Sequence, residues 1–194
     1  KLQLSISGMS LDAAVRKDWR AALAFLAVEI EMAGQVRVDE FHAAALQRRA
    51  LIHTRLGDGD GAQRDLKEAA ALVAKIEDDA LRKRMEIDHE AVTALTAPPA
   101  EAIELISTAL EFHRDTGWRM YVPDLLLRRG QLRKAAGLKD AAITDFEAGI
   151  AELERLRDDL PPGPSRWGVL DAANDLFEER IRAALEYGDA DTAF

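Results

Sequence analysis

At 194 residues the chain is 48% hydrophobic, 31% charged and only 6% aromatic, a balance that supplies a buried core and favours alanine- and leucine-rich helices over sheets. A net charge of −9 argues against a general nucleic-acid or anionic-membrane surface, since phosphate recognition draws on clustered lysine and arginine. The lack of cysteine excludes a disulfide framework, a thiol nucleophile and a Cys-based zinc site.

In chain order, residues 1–11 read either as a truncated first helix or as an irregular lead-in, and a helix from about Asp12 or Asp18 runs to Ala33. Asp39 then caps a helix through Ala43, Ala44, Leu46, Ala50 and Leu51 to Leu56, apolar at three- and four-residue intervals. Gly57-Asp58-Gly59-Asp60-Gly61 breaks it, with Gly57 suited to a left-handed helix end and Asp60 capping a helix from Ala62 to Ile76. Helices over 80–95 and 100–112 follow, separated by Thr96-Ala97-Pro98-Pro99, where proline does the breaking. After Asp115-Thr116-Gly117 comes a helix over 118–136, with Pro123 near its start or at a kink. The chain turns at Gly137 and resumes as helix from Asp140 to about Arg157. Pro161-Pro162-Gly163-Pro164 interrupts before a helix over 166–187, and Gly188-Asp189-Ala190-Asp191 is a further turn.

Ala22, Ala62, Ala102 and Ala142 stand forty residues apart, and Leu26, Leu66, Ile106 and Phe146 follow them by four. Ala69, Ala109 and Gly149 follow by seven, with Glu29 breaking the pattern in the first copy. Small, large, small at these spacings marks one helix face on which a neighbouring helix approaches closely. Gly57, Gly137 and Gly188 precede Ala62, Ala142 and Ala193 by five. Such a period predicts an all-α fold of antiparallel helix pairs, each unit burying its apolar face against the next, with a compact bundle as the rival. The units fall at about 1–38, 39–78, 79–117 and 118–160, with a partial one at 165–194, in a single domain spanning 1–194.

Ala50, Gly57, Ala62, Leu66 and Ala69, and again Gly130, Gly137, Ala142, Phe146 and Gly149, resemble the tetratricopeptide repeat (TPR). His53 and Arg133 stand where that family has an aromatic, its late proline is missing, and the period is longer. The resemblance implies a short right-handed α-solenoid whose first helices line a peptide groove. Its contact positions fall on Ala44, Gln47, Leu51, Thr54 and Arg55 in one unit, and on Asp124, Leu127, Gln131, Lys134 and Ala135 in another. Trp167, Leu176-Phe177-Glu178, Ile181, Ala184-Leu185, Gly188-Asp189 and Ala193-Phe194 are similar to the final repeat of bacterial proteins in which a TPR array precedes a caspase-like CHAT domain. That family's catalytic pair lies in the CHAT domain, so no residue here receives a catalytic role. The implied function is a scaffold or sensing module for a protein or peptide partner, including a downstream CHAT domain in the same chain. The alternative is a ligand-sensing helical domain of a signal-responsive transcription regulator.

Other chemistry is weighed residue by residue. His42 and His53 lie about three helical turns apart, too far to share a metal, and with His89 and His113 read as surface or partly buried histidines. Glu152, Glu154, Asp158, Asp159, Glu178 and Glu179 read as a solvated helix face rather than an acid–base pair. Gly57 to Gly61 lacks the closing residues of a phosphate loop or an EF-hand. Arg48-Arg49, Arg82-Lys83-Arg84, Arg128-Arg129 and Arg133-Lys134 either form a basic stripe for an acidic peptide or pair with neighbouring Asp and Glu, the plainer reading. Trp118, Tyr121 and Trp167 are expected to pack at joints between repeats. No enzyme activity, cofactor, metal, nucleic acid or membrane partner is expected. No apolar run approaches the roughly 20 residues of a membrane helix, and Lys1 to Leu4 has no signal-peptide layout, so a cytoplasmic location is expected. Starting without methionine and stopping at Phe194 within a repeat motif, the sequence reads as a fragment of a longer protein.

Overall fold

A computed structural model describes the backbone of residues 2–159 and 164–187, with side chains at 6–14, 16–159 and 174–187. The described residues are helical throughout apart from short connections, with no strand among them, so the fold is all-α. The helices are α1 (Leu2–Val15), α2 (Trp19–Val36), α3 (Asp39–Arg55), α4 (Gly59–Val73), α5 (Asp79–Thr93), α6 (Pro99–Asp115), α7 (Val122–Ala135), α8 (Lys139–Asp159) and α9 (Pro164–Tyr187). Single 3-10 turns, Ala94–Thr96 and Arg119–Tyr121, follow α5 and precede α7. The chain divides into two compact units, Lys1–Thr96 and Ala97–Phe194, a division that falls inside the predicted segment 79–117.

The helix boundaries follow from capping chemistry. The Asp18 carboxylate accepts from the Ala21 N–H at 3.0 Å, and Asp58, forty residues on, accepts from the Gly61 N–H at 2.9 Å. Asp78 does the same for Leu81 at 2.7 Å, and each bond satisfies one of the donors that a helix start leaves unpaired. Asp58 therefore caps α4 in place of the predicted Asp60, which sits inside the first turn. Likewise α3 is entered from Val38, leaving Asp39 in the first turn, where its charge favours the positive end of the helix dipole. The alternatives for the lead-in resolve in favour of a helix at residues 2–11, since α1 begins at Leu2 and continues to Val15 before the chain turns into α2. Pro123 lies in the first turn of α7, where its missing N–H costs nothing, and produces no kink. The calls on 160–163 and on Gly188, Ala193 and Phe194 lie outside the described residues, as does the side chain of Trp167.

Three of the corners spaced by multiples of forty residues close with the same backbone bond, the exception being the one at Pro98, which has no N–H to donate. The N–H groups of Asp18, Asp58 and Leu138 each donate to the carbonyl five residues back, those of Ala13, His53 and Arg133, at 2.9 Å in every case. This is the bond of a helix that ends in a left-handed residue. Gly57 and Gly137 supply that residue at φ 77° and 76°, and Lys17 occupies the corresponding slot at φ 59° although it carries a Cβ. A left-handed conformation costs an L-residue roughly 1–2 kcal/mol, and glycine adopts it without that penalty. Lys17→Gly is accordingly expected to stabilise the first unit by about 0.5–1 kcal/mol, a gain readable as a raised urea midpoint with unchanged slope.

In the first unit α1 packs on α2, α2 on α3, α3 on α4, and α5 on both α3 and α4. Ala22 and Leu26 join Ala13, Ala45 and Ile52 in one cluster, while Ala69, Leu72 and Val73 meet Ala43, Leu46 and Met85 in another. In the second unit α6 packs on α7, α7 on α8, and α9 on both α8 and α7. Its core gathers Leu127, Ala142, Phe146, Leu153, Leu176 and Ala183. Contacts climb one helix as they descend the next, 53 with 61 and 49 with 65, 133 with 141 and 129 with 145, so α3–α4 and α7–α8 are antiparallel hairpins. The small and large residues predicted to face neighbouring helices are buried: Ala22, Ala62, Ala102 and Ala142 are each 0% exposed.

Candidate functional site

The most specific polar feature is an ion-pair lock that occurs twice, eighty residues apart. In the α3–α4 hairpin the Arg49 guanidinium donates from Nε to Asp65 Oδ2 at 2.8 Å and from Nη2 to Oδ1 at 2.7 Å. In α7–α8 Arg129 repeats both bonds to Asp145, Nε to Oδ2 at 3.0 Å and Nη2 to Oδ1 at 2.7 Å. Two parallel N–H···O bonds match the planar fork of arginine to a carboxylate and fix orientation as well as distance. The bonding to Asp65 raises the Arg49 pKa above its ordinary value. Asp65 and Asp145 are buried, and neither is picked out by the sequence reading. The signal was present: an arginine sixteen residues before an aspartate, in register, on the hairpin that also carries the glycine turn.

The two copies differ at the next turn. Arg133 adds a bond from Nη1 to Asp145 Oδ2 at 2.8 Å, whereas His53 in the matching place stands 3.8 Å from Asp65 and 2.8 Å from Asp58. The Gly61 N–H, aided by the charges of His53 and Arg64, holds the Asp58 carboxyl below the usual carboxylate range. Glu29, the exception to the small-residue pattern, is buried and bonded by Arg48 of α3 and Ser7 of α1, so a charge pair replaces close packing there.

These pairings decide the fate of the basic residues. Arg48 is held by Glu29, Arg49 by Asp65, Arg82 by Asp79, Arg84 by Asp88, Arg128 by Asp124, and Arg129 and Arg133 by Asp145. For these arginines the plainer of the two readings holds, and they serve the interior joints and local surface pairs, while Lys83 is exposed. One acidic expectation fails. Glu152 is buried, receiving Arg119 at 2.8 Å and Arg155 at 3.2 Å, and is not part of a solvated face. Its hydrogen bonds raise the Arg119 pKa.

The predicted groove positions lie five on α3 and five on α7; Ala44 is half-buried and Ala135 exposed, and burial sorts the eight longer side chains. Gln47 is buried and donates to the Met85 carbonyl at 3.2 Å, tying α3 to α5. Leu127 is part of the second unit's core. Lys134 is half-buried between Glu179 at 3.4 Å and Glu186 at 3.0 Å. Burial opposes its charge, but hydrogen bonds and charge from Glu186 and Glu179 prevail and raise its pKa. Leu51 and Thr54 are half-buried, with the Thr54 hydroxyl donating to the Ala50 carbonyl at 3.0 Å. Arg55 is exposed with its guanidinium 5.7 Å from the Trp19 ring, and Asp124 and Gln131 are exposed beside Arg128 and Glu179. Leu51, Thr54, Arg55, Asp124 and Gln131 are thus the members of the eight that no interior joint claims.

The histidines separate by environment. His113 is fully buried, its ring edge-on to Phe112 at 5.5 Å and tilted against Tyr121 at 4.9 Å, so it is more enclosed than expected. Tyr121 lies against the His113 ring yet is 37% exposed, and Trp118, its ring 6.3 Å from that of Tyr121, is 44% exposed, so both aromatics are only partly enclosed. Burial pushes the His89 pKa below 6.5, partly offset by Glu90. Folded His89 thus binds its proton less readily than unfolded His89, so its stabilising share is complete above about pH 6.5 and is lost as pH falls through the lower folded value. His89→Gln should flatten the acid-side fall in denaturation midpoint that sets in below about pH 6.5, leaving the neutral value near the parent's.

Among the described residues no cluster of His, Asp and Glu could hold a metal ion, and no helix is long and apolar enough to cross a membrane. No protein-family model matches the chain, and no curated protein matches it significantly.

Proposed function

We propose that this chain is a TPR-like helical-repeat module, its antiparallel pairs stacked as an α-solenoid, that recognises a protein or peptide partner and carries out no reaction itself. The observation that carries the reading is the duplicated hairpin. The same Arg–Asp lock and the same left-handed turn recur eighty residues apart in α3–α4 and α7–α8. Repeated units of this kind commit their buried polar groups to the scaffold and leave recognition to side chains that vary on one face.

In this reading Leu51, Thr54 and Arg55 on α3, and Asp124 and Gln131 on α7, contact the partner, and Gln47, Leu127 and Lys134 hold the helices that present them. The leading candidate partner is a caspase-like CHAT domain on the same polypeptide in a bacterial cytoplasm, with the repeats as its sensing arm. Peptides selected by display on the immobilised chain, and a separately produced CHAT domain, supply probes for calorimetric titration. Leu51→Asp, Arg55→Glu and Gln131→Arg are expected to weaken the best binder by about tenfold each, in the range of interface contacts that matter. Affinity indifferent to all three substitutions would dismiss these contacts.

A further inference from the structure

The last helix carries an apolar stripe that the described residues of its unit leave exposed. On α9 the buried Leu176 and Ala183 enter the cluster around Phe146. Phe177, Ile181 and Leu185 instead expose 41%, 45% and 61% of their surface. Spaced by four, they line one side of the helix over just more than two turns.

The charges around that stripe fall into two groups. Glu179 and Glu186 hold Lys134 of α7, Arg180 holds Glu147 of α8 at 2.9 Å, and Asp175 is also engaged. Glu178 and Arg182, both exposed and bordering the stripe, pair with no described residue. They stand four residues apart on the side of the helix where Phe177, Ile181 and Leu185 end.

We propose that this stripe is a self-association surface, on which α9 of a second copy of the chain packs antiparallel. A two-fold axis beside residue 180 brings Glu178 of each copy against Arg182 of the other, twice, while the three apolar side chains interleave. A parallel pairing would set Glu178 against Glu178 and Arg182 against Arg182, so the charge order selects the antiparallel one. It also selects a second copy as occupant, because a sequence with one acid and one base placed symmetrically about a centre is its own complement.

Sedimentation equilibrium of the 194-residue chain tests this. The parent is expected to dimerise, and Ile181→Glu, at the middle of the stripe, to be monomeric with unchanged helical circular dichroism. The surface variants Glu178→Arg and Arg182→Glu should each self-associate about tenfold more weakly, because each sets like charges together at both contacts. Mixed in equal amounts, the two should recover parental affinity as a heterodimer, since one presents two bases and the other two acids. A parent that stays monomeric at the highest concentration it tolerates would overturn the proposal and assign the stripe to a different chain or segment. A dimer unmoved by the single reversals, or not restored by mixing, would overturn it too.

Discussion

Asp145→Ala should be among the most damaging single changes in the second unit, lowering its stability by about 3 kcal/mol. The carboxylate is 1% exposed and anchors two guanidinium groups, Arg129 through two bonds and Arg133 through a third. Removing it leaves two cations partly shielded from water with nothing to neutralise them, and Arg129 then depends on the Ser107 hydroxyl at 3.0 Å. Asp145→Asn keeps an acceptor and should lose roughly half as much, which separates charge from geometry. Asp65→Ala in the first unit should cost less than Asp145→Ala, because Arg49 alone grips Asp65 while His53 stands off at 3.8 Å. Urea titrations of the three variants, fitted for two transitions, give the ranking directly, and equal losses at 65 and 145 would refute the role assigned to Arg133.

Phe146→Ala should rival that loss, at about 3–5 kcal/mol, since this is the bulkiest fully buried side chain among the described residues and its removal opens a cavity. The ring rests where Gly130 of α7 has no side chain: a Cβ there would overlap it. Gly130→Ala therefore sets a helix-propensity gain of about 1 kcal/mol against crowding of about 1–3 kcal/mol, and a net loss is expected. The crowding belongs to the pair, so adding Phe146→Leu to Gly130→Ala should cost less than the sum of the two single changes. Strict additivity in that cycle would mean that the close approach of α7 and α8 is not governed by this contact.

Helix existence and the buried faces were legible because the periodicity that announces them is the same one that buries them. Ala62, Leu66 and Ala69 face inward because no other face of α4 is continuously apolar. Helix starts were less legible, since Asp58 and Asp60 are equally good caps in composition and only the spacing to Gly61, or the match with Asp18 forty residues earlier, decides between them. Charged residues were the hardest. Glu152 and Asp145 look as solvated as Glu154 when read singly, and their burial depends on arginines from other helices arriving at the right height. The groove positions were placed on two helices by family pattern, but which of them face outward depends on the neighbours. Gln47 is lost to the Met85 carbonyl, while Gln131 stays exposed near Glu179.

Lys17 and Arg37 both hold left-handed backbone, at φ 59° and 54°, in slots that glycine fills at 57 and 117. Hydrogen bonding, not the identity of the residue, must then be steering the chain through those corners. A count made from the letter G would pass over the corners at Lys17 and Arg37, whereas the left-handed dihedral angle marks them alongside Gly57, Gly117 and Gly137. Where the spelling changes and the corner keeps its shape, backbone angles are the better guide to which segments correspond.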